Sequence, residues 1–324
     1  VETMLELLLD NRNGNVWDLS NIVSDVTWKT SRIGKPGSLE FTLVRNGIYQ
    51  DPGFRYNNGD VVRFRKDGVN VFYGYVFRIG EGMSEDVKIL CYDQIRYLLA
   101  SETYVFSNVT ASDVVKQIAS DFKLKVGKID DTGYRIPSLI QDNQKLLDTI
   151  CKALDWTLIK ADRNYFLYDD FGELSLRNSY DMLLSFFIGD ESLMYDFAAE
   201  RSIDSDTYNK VKLYQDNKKA GKRDTYIAQD SANIAKWGLL QLTQSVDEKM
   251  NAAQIRELLN ALIATKNKET KTLKIDAIGD IRVRAGCYLP VLIGDFGINQ
   301  SFLVDECSHH FDGGHTMSLE LKVI

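Results

Sequence analysis

The only histidines in this 324-residue sequence are His309, His310 and His315, and Cys307 lies just ahead of them. Any Ser-His-Asp or Cys-His nucleophilic site would have to use one of these imidazoles. The spacing Cys-x-His-His-x4-His also imitates a metal cluster, since thiolate and imidazole are the usual zinc donors. On an extended strand, however, His309 and His310 point to opposite faces, so at most one of them shares a side with Cys307. The turn Asp312-Gly313-Gly314 would then have to bring His315 back. The expectation is an ordinary hairpin without a structural metal.

Acidic pairs give less. Asp169-Asp170 falls in a predicted hairpin turn, and Asp204-x-Asp206 lacks the glycine and the twelfth-position glutamate of a calcium loop. Both read as solvated turn carboxylates. Glycoside hydrolysis needs two carboxylates brought together across a cleft, and no pair is nominated by the sequence. Gly34-Lys35-Pro36-Gly37 lacks the spacing of a phosphate loop and stands between strands, so it reads as a β-turn. The 16 tyrosines and 15 phenylalanines could stack bases on an OB-like face. Against that, 46 acidic residues outnumber 39 basic ones, and the one short basic patch is Lys218-Lys219-Ala220-Gly221-Lys222-Arg223. A phosphate-tracking interface normally shows a basic face, so stable nucleic-acid binding is not expected. Most of the rings are expected in the core. Cys91, Cys151, Cys287 and Cys307 are far apart and form no CxxC pair, which predicts buried free thiols. No residue is nominated as catalytic, cofactor-binding or metal-binding, and no cofactor is expected.

The elements that carry these residues can be read from periodicity. In the first hundred residues Leu39, Phe41 and Leu43 alternate with Ser38, Glu40 and Thr42, and Val71, Tyr73, Tyr75, Phe77 and Ile79 form another period-two row. Asn13-Gly14, Asn58-Gly59-Asp60 and Lys66-Asp67-Gly68 supply turns at hairpin intervals. Regular short strands of this kind predict a barrel or sandwich. From about residue 101 the period changes. Thr110 with Asp113 makes a capping box ahead of Val114, Val115, Ile118 and Phe122 on one helical face. Asn143 precedes a second apolar face, Leu146, Leu147, Ile150, Cys151 and Leu154. The strands Tyr165-Phe166-Leu167-Tyr168 and Glu173-Leu174-Ser175-Leu176 complete an α+β module. The helix at 110–122 with Leu124-Lys125-Val126 loosely resembles a wall-binding LysM unit, but a plain α+β packing unit is the favoured reading.

A third region opens with Lys210-Val211-Lys212-Leu213-Tyr214 and turns helical, with Ile255, Leu258, Leu259, Leu262 and Ile263 as an apolar stripe. It then returns to β: Leu273 and Ile275, Ile281 and Val283, Leu303-Val304-Asp305-Glu306-Cys307, and finally Met317, Leu319, Leu321 and Val323. The reading is a mainly β chain with α+β parts. It divides into an N-terminal β-barrel domain at 1–100, an α+β module at 101–180, and a second β-barrel domain at 181–324 with a helical insertion at about 228–267. The length allows about two domains with their own cores. No apolar run reaches the roughly 18 to 20 residues of a membrane span, so no membrane insertion is expected. The opening lacks the basic-then-apolar layout of a secretory signal, which predicts synthesis in the cytoplasm.

The phrase Cys91-Tyr92-Asp93-Gln94-Ile95-Arg96-Tyr97-Leu98, where a strand runs through the N-cap Asp93 into a short helix, resembles the XkdQ/YqbQ family. These are baseplate hub proteins of PBSX-like defective prophages and phage tail-like bacteriocins. The resemblance continues in family order through Val26-Thr27-Trp28, Lys35-Pro36-Gly37-Ser38-Leu39-Glu40-Phe41, Phe72-Tyr73-Gly74-Tyr75-Val76-Phe77, Tyr168-Asp169-Asp170-Phe171-Gly172, Ser202-Ile203-Asp204, Thr207-Tyr208-Asn209, Trp237-Gly238-Leu239-Leu240-Gln241 and His315-Thr316-Met317-Ser318-Leu319. Each phrase alone is ordinary; their joint order is specific.

The resemblance implies a structural protein, not an enzyme: a hub with two tail-tube-like barrels per chain, as in the late control protein D and VgrG types. Three chains would then form a six-barrel ring between the tail tube and the spike. The implied partners are a second and third copy, the tube protein, the spike protein and other baseplate proteins. The implied location is the bacterial cytoplasm on synthesis and then the baseplate of a contractile phage tail or tail-like particle. The alternative is a tail-associated wall-binding or peptidoglycan-hydrolase module. In the hub reading the bore is expected to be neutral or acidic, with Arg63 and Arg65 directed into barrel surfaces or subunit contacts and the 218–223 patch outside.

Overall fold

A computed structural model describes residues 4–48, 50–217 and 221–323. The first lobe is antiparallel: β1 (Leu5–Asp10), β2 (Val16–Asp18), β3 (Val23–Ser31), β4 (Ser38–Val44), β5 (Val61–Lys66), β6 (Val69–Gly80) and β7 (Asp86–Tyr92). Period-two alternation decides which side faces in. Leu7 and Leu9, Val26 and Trp28, Leu39, Phe41 and Leu43, Val62 and Phe64, and Val87, Ile89 and Cys91 are buried together. Asp93 caps a closing 3-10 turn, Gln94–Leu99.

The middle module runs β8 (Ser101–Thr110), α1 (Ala111–Asp121), β9 (Val126–Ile129), β10 (Arg135–Lys145), α2 (Leu146–Ala161), β11 (Tyr165–Asp169) and β12 (Leu174–Asn178). Thr110 and Asp113 form the expected capping box on α1. Val114, Val115 and Ile118 pack against Leu146, Leu147 and Ile150 of α2. That second helix begins behind Lys145, and Asn143 ahead of it sits in left-handed backbone (φ 49°) within β10.

After β13 (Ile188–Gly189) and β14 (Met194–Ser202) the chain makes a subdomain with its own sheet. It contains β15 (Lys210–Asn217), β16 (Lys222–Gln229), α3 (Ser231–Trp237), β17 (Gln241–Ser245) and α4 (Ala252–Lys266), with strand order β16-β15-β17. The helix α4 lays Ile255, Leu258, Leu259 and Leu262 over Val211 and Leu213. The stretch read as helical, 228–267, thus holds β17 besides α3 and α4, and its core requires β15 ahead of it. The strand β16 is exposed along most of its length, so it carries no alternation by which to recognise it.

The second lobe closes with β18 (Thr270–Ile278), β19 (Tyr288–Ile293), β20 (Ile298–Phe311) and β21 (His315–Lys322) around Leu273, Ile275, Val291, Phe302, Val304, Leu319 and Leu321. Ile281 and Val283, read as a strand, lie instead in the turn-rich segment 279–287. Their alternation reflects two destinations: Ile281 packs on the first lobe's core, and Val283 is buried in the second.

Both lobes share one sheet of order β14-β18-β21-β20-β3-β4-β7-β6-β5-β1-β2, with β19 on β20 and β13 on β19. The two barrel-like domains expected from the sequence are therefore two β-walled lobes of an open sheet. No pairing among the described residues closes it into a barrel. The 14-residue strand β20 makes the connection. Leu303 pairs with Tyr288 on one side and Lys322 on the other, and from Glu306 to Phe311 the place of β19 is taken by β3. A bulge between Val304 and Glu306 marks the switch. There the Asp305 carbonyl accepts from the Arg32 amide at 2.9 Å, and its carboxylate accepts from Arg32 Nε at 3.2 Å and Lys322 Nζ at 2.6 Å.

Candidate functional site

Segment 279–287 leaves β18 and reaches the first lobe, the middle module and the second lobe within nine residues. Ala285 donates its amide to the Thr30 hydroxyl of β3 at 3.0 Å. Gly286, at φ +94°, lies so close to Phe166 of β11 that a Cβ there would fall 2.2 Å from the ring. Only glycine meets both the backbone angle and that approach. Two polar clusters are organised around this junction.

The first is the histidine cluster. His309 is fully buried on the inner side of β20, on the same side as Cys307, while His310 turns outward with Nδ1 3.3 Å from the Thr27 hydroxyl. The Asp312-Gly313-Gly314 turn does return His315, whose Nε2 lies 2.9 Å from His309 Nδ1. His309 Nε2 lies 2.8 Å from the Val283 carbonyl, which has no proton to give, so Nε2 donates and Nδ1 accepts. His315 Nε2 must therefore be the donor to His309, and its Nδ1 accepts from Lys66 Nζ at 2.9 Å. The result is a one-way chain, Lys66 to His315 to His309 to Val283. The His309 ring stacks on Trp28 and that of His315 on Phe311, with centroids 4.9 and 4.3 Å apart.

Burial drives both imidazoles toward the neutral form, His309 down to about 4 and His315 down to about 3, the latter helped by His309 and by the Lys66 ammonium. Cys307 Sγ lies 3.1 Å from His309 Nε2, on the opposite side of the ring from His315. The donor atoms therefore do not converge, and among the described residues no group of three or more His, Cys, Asp or Glu is arranged to hold a metal ion. Burial also raises the Cys91 and Cys307 thiols and pushes Cys151 up to about 11, so these sulfurs stay protonated.

The second cluster overturns the reading of Asp169 as a solvated turn carboxylate. Asp170 is exposed, but Asp169 is 6% exposed at the end of β11. The hairpin it begins is pressed against the first lobe, where Gly172 meets Tyr73 and Gln94 donates to the Gly172 carbonyl at 2.9 Å. Asp93, expected as an N-cap, does accept from the Ile95 amide at 3.0 Å. Its other oxygen accepts at 2.9 Å from Gly37, in the segment Gly34-Lys35-Pro36-Gly37 read from the sequence as a β-turn. A Cβ on Gly37 would collide with that oxygen at 2.4 Å. Arg284 completes the group, stacked 4.2 Å over the Tyr168 ring with Nη2 3.4 Å from the Asp169 carbonyl. No local sequence signal marks Arg284 or Lys66 as members of these clusters. Asp206 is exposed and binds Lys266 Nζ through both oxygens at 2.7 Å.

Of the other basic residues singled out in the sequence, Arg63 and Arg65 are partly exposed on β5 of the first lobe. Arg63 and Arg65 lie 3.5 and 3.2 Å from Asp10 and Glu6. Lys218, Lys219 and Ala220 lie outside the described residues, while Arg223 pairs with Asp216 at 2.6 Å. No described helix is long and apolar enough to cross a membrane.

Comparison with known proteins places this architecture among relatives. The chain is 34% identical to the uncharacterized protein YqbQ of Bacillus subtilis over 309 residues, covering 94% of this chain and 93% of that protein. It is 32% identical over 307 residues to XkdQ, a protein of the phage-like element PBSX of the same organism, with the same coverage. In fold it is similar to the 43 kDa tail protein of prophage MuSo2 from Shewanella oneidensis, with a TM-score of 0.70, 14% identity and 98% of each chain covered. The sequence model of the YQBQ-like family matches residues 26–322, a span that begins within β3 and takes in the rest of the first lobe, the middle module, the second lobe and segment 279–287. The chain belongs to the YQBQ-like family.

Proposed function

We propose that this protein is a structural component of a phage-type tail, the hub that seats the tail tube on the spike as a trimeric ring. Kinship with XkdQ of a phage-like element and fold likeness to a prophage tail protein support the tail assignment. The observation that carries the ring is the shape of the shared sheet. Strand β20 ties two β lobes into one sheet, so three copies would present six β walls to a six-subunit tube. One end of the sheet is blunted by the three-residue β2, whereas the other is the nine-residue β14 with no strand on its outer side among the described residues. Long free edges are templates for pairing that proteins normally cover, and a closed ring gives each copy a neighbour to do so.

In this reading residues 1–100 and 181–324 are the ring-building parts and 101–180 the module between them. The protein is made in the bacterial cytoplasm and carried into the baseplate, where it meets tube, spike and other baseplate proteins. No reaction, metal or cofactor is assigned to it. A reconstruction of the particle with this chain labelled tests the proposal: three copies at the tube–spike junction are expected, and one copy, six copies or another location would overturn it. Purified protein is expected neither to clear nor to pellet with peptidoglycan, and clearing would favour a wall hydrolase instead.

A further inference from the structure

Two buried carboxylates and one half-buried guanidinium from separate parts of the chain meet at the junction: Asp93 after β7, Asp169 at the end of β11, and Arg284 in segment 279–287. Both oxygens of Asp93 are occupied by backbone amides, those of Ile95 and Gly37. Asp169 Oδ1 accepts from the Gly172 amide at 2.7 Å. Asp169 Oδ2 and Arg284 Nε are buried and have no hydrogen-bond partner among the described residues. The other charged or titratable groups facing this cluster are Tyr75 from β6, with Arg12 over its ring, Tyr168 from β11, Asp170 from the turn, Arg177 from β12, and the neutral thiols Cys287 and Cys307 beside Arg284.

One guanidinium cannot neutralise two buried carboxylates, and a second anion in this setting costs more than holding a proton. Amide donors on both oxygens favour the anion at Asp93. The oxygen without a donor, Asp169 Oδ2, is where a proton sits best. We propose that Asp93, Asp169 and Arg284 form a proton-linked hinge, in which one proton on Asp169 Oδ2 keeps the middle module docked on the two β lobes and its loss loosens that contact. Burial pushes the Asp169 carboxyl up to about 6, and burial with the neighbouring Asp169 charge raises Asp93 as well. The two carboxyls titrate as a pair, and Asp169 gives up its proton as the pH rises through about 6. The signal was not legible locally, because Asp169 and Arg284 are 115 positions apart.

Hydrogen exchange of the full chain at pH 5 and pH 8, corrected for intrinsic rates, tests the hinge in peptides covering 93–99, 165–174 and 280–287. If opening restores Asp169 to an ordinary carboxylate, linkage makes the opening constant rise about tenfold between these pH values. Asp169→Asn is expected to abolish that rise, with peptides in the β16-β15-β17 subdomain unchanged. Equal corrected exchange at both pH values in the wild type, or the same rise in Asp169→Asn, would overturn the proposal. Carbon-13 titration of the aspartate carboxyls decides independently if that variant does not fold. A wild-type midpoint near 6 that falls in Asp93→Asn is expected, and an Asp169 midpoint near 4 in the wild type would overturn it.

Discussion

His315 Nε2 donates to His309 Nδ1 across 2.9 Å, and that bond fixes the tautomer of both rings because the far nitrogen of His309 faces a carbonyl. Removing the donor leaves a buried ring nitrogen unsatisfied. His315→Ala is expected to destabilise the protein by about 1–3 kcal/mol. His310→Ala, on the outward face of the same strand, is expected to stay within about 0.5 kcal/mol. Urea unfolding at pH 7.5 checks the pair, and equal effects would contradict the directional chain.

The same imidazoles set a pH dependence whose sign follows from their lowered folded-state values. Their stabilisation is fully present above the ordinary histidine value of about 6.5 and is lost as pH falls through about 4 for His309 and about 3 for His315. His315→Gln keeps a donor and an acceptor but cannot titrate in this range. Relative to that variant, the wild type is expected to lose about 1.4 kcal/mol per pH unit between pH 6 and 4. Asp169 acts with the opposite sign, since its raised value gives stability present at low pH and lost as pH rises through about 6. Parallel unfolding curves for wild type and His315→Gln across this window would refute the neutral-imidazole assignment.

Segment 279–287 should tolerate no side chain at its closest approach. Gly286→Ala adds a methyl 2.2 Å from Phe166 at a backbone angle that disfavours alanine, with an expected cost of about 2–4 kcal/mol. Gly82→Ala, where nothing lies within 4 Å, is expected to be neutral or slightly stabilising. Thermal unfolding of the two variants gives the comparison.

Binding of DNA is expected to be undetectable near physiological salt. The chain carries a net charge of −7, and Arg63, Arg65 and Arg223 each stand beside a carboxylate. Fluorescence anisotropy with short duplex and single-stranded DNA measures this, and submicromolar binding that weakens steeply with salt would contradict it.

Local order determined what the sequence shows by itself. The alternation of Leu39, Phe41 and Leu43 specifies a strand with one buried side, and Thr110 with Asp113 specifies where α1 begins, because both signals lie within a few residues of the structure they encode. The order of family phrases, from Val26 to Leu319, likewise needs no coordinates. Tertiary structure alone decided that β20 would serve two lobes, since a strand's second neighbour is set by which chain segment reaches its edge, and β3 reaches it across some 280 positions. It also decided the fate of the polar residues. Asp169 reads as a turn carboxylate because its own neighbours are turn residues, and Asp93 reads as a helix cap because Ile95 is two positions away. Both are buried because Gly37 and Arg284 arrive from distant parts of the chain, and the burial of a charge depends on everything packed around it, not on the residues beside it in sequence.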